Sequence, residues 1–469
     1  VAELAAPIIK GDKVSNKTDY RDALPVNLTA VSRAILGASG YLVSHPGLTL
    51  FATGQGIDRG GYWNENQAKH FRVSGGSLIE VNTDGSVVTL GAISGIKRAA
   101  LVHSFNSQAI IADGRFWRYT SSGLSEVTDS NLGNPIDGTW INGYYFFTDG
   151  DFLFHTDIDD ETSIDPLKFA TSEFSPDPTL AVDKTSDNQV VAFNRYTTEF
   201  FVDRATDNFA FRRIEGKAVK CGIVGTHCET ELQGRFYVMG GGREENVSIH
   251  MIAGGAYESI ATREVDKLIG QYTEEQLADA ILETRVQNQD QFIVVHLPNE
   301  VLLCNLTIMK QLGKEYAWTI IKTGVNVDDP WRGVNGVYDP RVSEWIYGDK
   351  QNSNIGSLDD SIGSQYGDQV ETLFFSPLLK LEGASIDKLE LDTIPGHQTD
   401  ASDVKVSLSL TYDGHFYGVE WFALYGQPSK FNTRFILRRL GYVADFVGMK
   451  FRSVSTEKVA FTFLRVSYG

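Results

Sequence analysis

The chain has only three cysteines in 469 residues, Cys221, Cys228 and Cys304, which is too few for a disulfide framework and points to synthesis in a reducing cytosol. Long apolar runs are missing too. Stretches such as "FIVV" (292–295) fall far short of the roughly 18 residues that cross a bilayer, so no membrane anchor is expected. No apolar segment with a basic flank stands at the start to announce secretion. Positive charge is the scarcer sign: 42 Lys and Arg face 60 Asp and Glu, a formal charge of -18. That balance excludes tight, non-specific capture of nucleic acid phosphates as the main activity. Proline is sparse at 13 against 45 glycines, and with 42% hydrophobic residues the chain is globular and turn-rich, not disordered. Its length calls for two or three domains or one large repeat architecture.

What the sequence does have is a recurring unit. From about residue 61 a short aromatic and β-branched run, a turn of Gly, Asp or Asn, and a second such run follow one another as hairpins. Examples are "AKHFRVSGGSLIEV" (68–81), "QAIIADGRFWRYTSSG" (108–123), "GYYFFTDGDFLFHTD" (143–157) and "NQVVAFNRYTTEFFVD" (188–203). Their starts lie roughly 35 to 55 residues apart, the period of small antiparallel sheets stacked radially. The expected fold is all-β: a β-propeller of about six or seven blades over residues 51–365, with a stacked-sandwich arrangement as the rival. One segment, 259–285, breaks the pattern. Val265, Leu268, Ile269 and then Leu277, Ala280, Ile281 recur at helical spacing, with Thr273 and Gln276 placed for a capping box, so a helix pair is expected there. Residues 366–469 carry strands and turns without helical period and are expected to form a β-sandwich. Residues 1–50 have weak periodicity and several turn formers, and are expected to be an arm packing on other parts.

Chemistry is hard to find. "CGIVGTHC" (221–228) gathers two cysteines and His227, but metal-binding pairs sit two to four residues apart, and these are seven apart. On an extended strand the two sulfurs would face opposite ways, as would His227 and Cys228, so the expectation is a blade strand holding buried sulfur. "GQGIDRGG" (54–61) misses the dinucleotide spacing and has no βαβ unit around it. "DIDDETSIDPLK" (157–168) is acidic like a calcium loop, yet has Thr162 in place of the turn glycine and Lys168 in place of the bidentate Glu. No phosphate loop, nucleophile elbow or zinc-protease helix is present, and no catalytic, cofactor or metal residue is assigned. Because propellers host glycosidases that pair two acids across a sugar, a carbohydrate-binding or glycan-cleaving propeller stays open as the alternative.

Several stretches together resemble one family, the tail-hub or packaged-DNA stabilisation proteins of short-tailed bacteriophages of the Salmonella phage type. They include "DALPVNLTA" (22–30), "ILGASGYLVSHPGL" (35–48), "KCGIVGTHCET" (220–230) and "YTEEQLADAILET" (272–284), and continue with "IVVHLP" (293–298), "KTGVNVDDPWRGV" (322–334) and a run over 348–380. The match is colinear and thins beyond Lys380.

The resemblance implies a structural virion protein, made in the bacterial host cytoplasm and located in the tail. It implies a six-fold ring below the portal adaptor that closes the head, stabilises packaged DNA, forms part of the ejection conduit and carries the tail needle and tailspikes. Such hubs have no catalytic residues to carry over. DNA would pass without specific binding, since every phosphate neutralised would have to be released again. On this view Asp157, Asp159, Asp160, Glu161 and Asp165 are candidate acidic lining of the channel. Leu24, Pro25, Val26 and Asn27, with Tyr41, Pro46 and Gly47, are candidate contacts to a sibling copy or the adaptor, the prolines limiting stray strand addition. The competing reading is that these arm residues close the chain's own fold.

Overall fold

In a computed structural model the described residues are 2–8, 24–35, 38, 40–158, 160–206, 208–325, 329–398, 404–414 and 416–469, without the side chains of residues 6 and 7. Seven antiparallel sheets follow one another as blades, each starting from an innermost strand: Asp58–Asn64, Ala100–His103, Asp137–Ile141, Thr179–Lys184, Glu229–Leu232, Ile281–Gln287 and Gly333–Asp339. The innermost strand of the seventh blade packs against that of the first, which closes the ring. Closure is secured by an early segment: Gly47–Thr53 is the outermost strand of the seventh blade, with Leu48 opposite Leu358 and Gly47 opposite Asp359. The propeller therefore begins at residue 47, inside the segment expected to be arm.

The sequence run "YYFF" shows why the blades stack. All four residues of Tyr144–Phe147 are buried, because a blade has no solvent face: alternate side chains point to the two neighbouring blades. Tyr145 and Phe147 pack with Ile111 and Phe116 of the second blade, while Tyr144 and Phe146 pack with Val190 and Phe201 of the fourth. Phe116 meets Tyr145 and Phe147 edge-on with centroids 5.3 and 4.9 Å apart. Each such ring contributes roughly 1.5 to 3 kcal/mol by leaving water, so the interface between blades is itself a core.

The helix pair is present but shorter than expected. Thr262 caps Arg263–Ile269, and Thr273 with Gln276 forms the capping box of the single-turn helix Glu274–Leu277. Residues 281–285, expected as helix, instead open the innermost strand of the sixth blade and pair through Gln287 with Asp290–His296. Seven paired residues in a sheet outweigh the weak preference of a helix only one turn long. A third helix, Leu306–Leu312, was not anticipated; Asn305 caps it by accepting from the N–H groups of Thr307 and Ile308.

The C-terminal residues form the expected sandwich, but not alone. One sheet runs Leu28–Val31, Tyr41–Ser44, Ala460–Tyr468, Ala384–Thr393, Phe435–Val443, with Ala2–Pro7 also paired to Ala460–Tyr468. The other runs Val370–Phe375, Phe446–Ser455, Val404–Thr411, Trp421–Gly426. Three strands of the arm thus complete the first sheet. Phe374 stacks on Phe451 at 4.8 Å and touches Phe461 at 5.0 Å in the interior, and this core runs without a break into blades four to six.

Candidate functional site

The innermost strands bring polar side chains to the propeller axis. Asp58, Asp137, Asp183, Glu229, Glu283 and Asn335 come from the first, third, fourth, fifth, sixth and seventh blades. Arg98, just before the second blade, feels the charges of Glu283, Glu229, Asp58 and Asp137 at once, which is possible only beside the axis. The carboxylates are not equivalent. Glu283 accepts from the N–H groups of Asn335 at 2.6 Å and Gly336 at 3.1 Å and sits 3.3 Å from His296. Burial works against its charge, but these partners win and hold its carboxyl down at about 2. Asp137 accepts from the Val182 N–H at 2.9 Å, yet burial dominates and pushes it up to about 7. Glu229 is likewise raised, by burial first and then by Asp183 and Asp137.

Asp58 belongs to the closure of the ring. Arg72 of the first blade donates to Asp58 at 2.7 Å, to the Asn335 carbonyl of the seventh blade at 2.9 Å, and lies 3.1 Å from His70. Asn335 in turn donates through its side chain to Asp58 at 2.7 Å. The buried Arg72–Asp58 pair of the first blade thus holds Asn335 of the last blade through both of its members, which joins the two blades in addition to the outer strand.

The "CGIVGTHC" stretch is neither the expected strand nor a chelate. Residues 221–228 form the connection from the fourth blade to the fifth, whose first strand starts only at Glu229. The glycines explain the bend: a Cβ on Gly222 would strike the Asn194 carbonyl, and one on Gly225 the Ala278 carbonyl. Cys228 points its thiol at the carbonyls of Leu277 and Ala280, both 3.5 Å away. His227 stands instead near Arg98, and burial followed by that charge keeps its imidazole far below the ordinary value. Burial raises the Cys221 thiol to about 12, and it raises Cys228 and Cys304 as well. Among the described residues no three His, Cys, Asp or Glu side chains gather as metal ligands.

The acidic turn connects two strands of the third blade and neutralises part of its own charge. Asp157 pairs with Lys168, and the buried Glu161 accepts from Arg118 at 2.8 Å and Ser107 at 2.6 Å. Among the described residues the side chains of Asp160 and Asp165 accept only from groups of their own turn, Thr162 and Leu167. Asp159 lies outside the described residues.

The arm residues sit at the seam between propeller and sandwich. Val26 bridges Ile320 of the sixth blade and Leu373 of the sandwich. Asn27 donates to the Glu371 carbonyl at 2.8 Å and accepts from the Lys322 N–H at 2.8 Å. The Pro25 carbonyl accepts from the Ile320 N–H and from the Thr319 hydroxyl. Gly47 is buried against Ile362 and Ser364, while Leu24, Tyr41 and Pro46 are half-buried. Val26, Asn27 and Gly47, proposed as contacts to a neighbour, are spent on the chain's own interior, because buried groups with intramolecular partners present nothing outward.

Family comparison extends over nearly all of this architecture. A family model described as "Bacteriophage P22 Gp10, beta-propeller" matches residues 4–363, and "Bacteriophage P22 Gp10, beta-sandwich" matches 371–469. The chain belongs to the phage P22 Gp10 family. Its curated relative, the "Tail hub protein gp10" of Salmonella phage P22, is 31% identical over 97% of either chain. Among solved structures, an inactive virginiamycin B lyase from Staphylococcus aureus is 13% identical with a TM-score of 0.43, over 68% of this chain and 99% of its own. The Pan2 WD40 domain of Neurospora crassa is 6% identical at 0.42, over 65% and 89%. Likenesses of that size fix no activity.

Proposed function

We propose that this member of the Gp10 family is a structural tail hub protein of a virion, working by assembly and without catalysing a reaction. The observation that carries the reading is the colinear relationship to a tail hub protein across both domains, the propeller and the sandwich. Its physical features support the same role. The ring is locked twice, by the outer strand Gly47–Thr53 and by the bonds of Arg72 and Asp58 to Asn335, and the sandwich is tied to it by strands from both chain ends. Such a body transmits position without changing shape.

The finer picture is a six-fold ring beneath a portal adaptor, closing the head, meeting the needle and tailspikes, and letting DNA pass an acidic chain of net charge -18 without holding it. The test is reconstitution: purified full-length protein is mixed with the adaptor ring of the same phage and imaged by electron microscopy. Six copies bound below the adaptor are expected. A monomer that ignores the adaptor, or that releases reducing sugar from host polysaccharide, overturns the reading.

A further inference from the structure

The far side of the sandwich is open. Its two sheets lean on the propeller through Leu28–Val31 and Val370–Phe375, and each ends in a strand with one edge unpaired among the described residues, Phe435–Val443 and Trp421–Gly426. These two end strands pack against each other, so they make one distal flank. Phe422 on one strand is 59% exposed and Tyr442 on the other 62%, and Phe431 in the connection between them is 64% exposed. Arg438 and Arg439 are exposed on the same flank; Arg434 pairs with Glu390, but among the described residues neither of the other two has an ion-pair partner. Aromatic side chains beside unpaired strand edges invite aggregation unless something covers them. The cover must be apolar and acidic.

The chain carries such a surface elsewhere. On the turn of the third blade, Ile158 is 58% and Leu167 69% exposed, beside Asp160 and Asp165, which have no cation partner among the described residues. Glu161–Arg118 and Asp157–Lys168 hold the turn in shape before any partner arrives, so little conformational entropy is lost on docking. The third blade lies three steps around a seven-bladed ring from the sixth, where the sandwich is attached. Turn and flank therefore stand on roughly opposite sides and cannot meet within one chain. Two different, complementary patches on opposite sides are what a head-to-tail contact between copies requires.

We propose that Ile158, Asp160, Asp165 and Leu167 of the acidic turn of one copy dock on the Phe422–Tyr442 flank of the next. The proposal rests on the hub reading and names the surfaces by which copies join. It gives the turn a subunit contact in place of the channel lining.

Charge reversal tests it in the full-length protein, assembled into tails from infected cells depleted of their own copy. Asp160→Lys with Asp165→Lys, or Arg438→Glu with Arg439→Glu, is expected to lower incorporation into tails at least tenfold. All four changes together are expected to restore it to within threefold of wild type. All sites are on the surface, so each variant is first shown to melt with the wild type. A second measurement avoids charge: in assembled tails treated with a copper–phenanthroline oxidant, Leu167→Cys with Tyr442→Cys is expected to give a ladder of disulfide-linked chains on a non-reducing gel. Normal incorporation of both reversals, failure of the fourfold variant, or an absent ladder in normal tails overturns the docking. Loss through the arginine pair alone also overturns it and assigns the flank to another tail component. Tails that lack even the wild-type chain sink the hub reading itself.

Discussion

Asn27 donates its side-chain amide to the carbonyl of Glu371, 344 residues away, at 2.8 Å, while its side-chain oxygen accepts from the Lys322 N–H at 2.8 Å. One arm residue thus stitches the sixth blade to the sandwich. Its backbone is left-handed, with φ 52°, a conformation Asn tolerates better than most. Asn27→Gly keeps that conformation and loses both bonds, and leaving the buried partners unpaired costs about 1 to 3 kcal/mol. Asn27→Ala adds backbone strain of about 1 kcal/mol. Urea unfolding is expected to rank wild type above Gly and Gly above Ala. Equal stability of all three would show that the seam is held by other contacts.

The Arg72–Asp58 pair makes a stronger prediction. Its side chains are 0% and 3% exposed, so water screens neither charge. Asp58→Asn keeps the shape and removes the countercharge, which for a buried pair costs about 3 to 5 kcal/mol. Because both members of the pair also bond Asn335 of the last blade, the loss is expected as faster hydrogen exchange in Gly333–Asp339 and Asp58–Asn64 ahead of the third blade. Uniform loosening of all blades would argue against a latch.

The sulfur-rich connection yields a prediction in the opposite direction. All three cysteines are buried, and burial keeps the thiols protonated, with Cys221 at about 12. The thiolate is the reactive form, so a thiol reagent at pH 8 is expected to label none of them before the chain unfolds. The labelling rate is expected to follow the unfolding rate in urea. Rapid native labelling of one thiol would restore a redox or metal-binding role to the stretch.

Much of this architecture is legible in the sequence, and the parts that are not have physical causes. Hairpin period and alternation gave the propeller because every blade needs the same two buried faces, as at Tyr144–Phe147. The capping box of Thr273 and Gln276 is a local bond pattern, so it too was visible. What stayed hidden depends on pairing between distant residues. Gly47–Leu50 looks like arm in sequence because its partner, residues 356–359, lies some 300 residues on. The "CGIVG" stretch reads as strand because nothing local shows that Asn194 and Ala278 crowd its glycines. The axial acids had a faint signature, one carboxylate near the start of most repeats, yet only closure of the ring tells an axial Asp137 from an outward Asp160.

That axial position gives Asp137 a measurable pH signature. The residue is 7% exposed, and burial, reinforced by the charge of Asp183, lifts its carboxyl from 3.8 to about 7 against the pull of the Val182 and Gly138 N–H groups and of Arg98. Between about pH 4 and 7 the folded form therefore keeps a proton that the unfolded chain gives up. Its contribution to stability is complete below pH 4 and is lost as pH rises through 7. His70 and His296 run the other way: burial lowers both from 6.5 to about 4, so their cost appears as pH falls through that range. The wild-type profile mixes these opposite slopes, and a single curve identifies neither. The difference between Asp137→Asn and wild type isolates one of them. Asn keeps an oxygen for the Val182 N–H and has no proton to lose. The variant is expected to gain on wild type steadily from pH 4 to 7 and to hold that advantage above it, by the order of a few kcal/mol. Urea midpoints at pH 4.5, 6 and 7.5 measure it. An offset that does not change with pH would mean that Asp137 is ionised throughout, with Arg98 and water at the axis outweighing its burial.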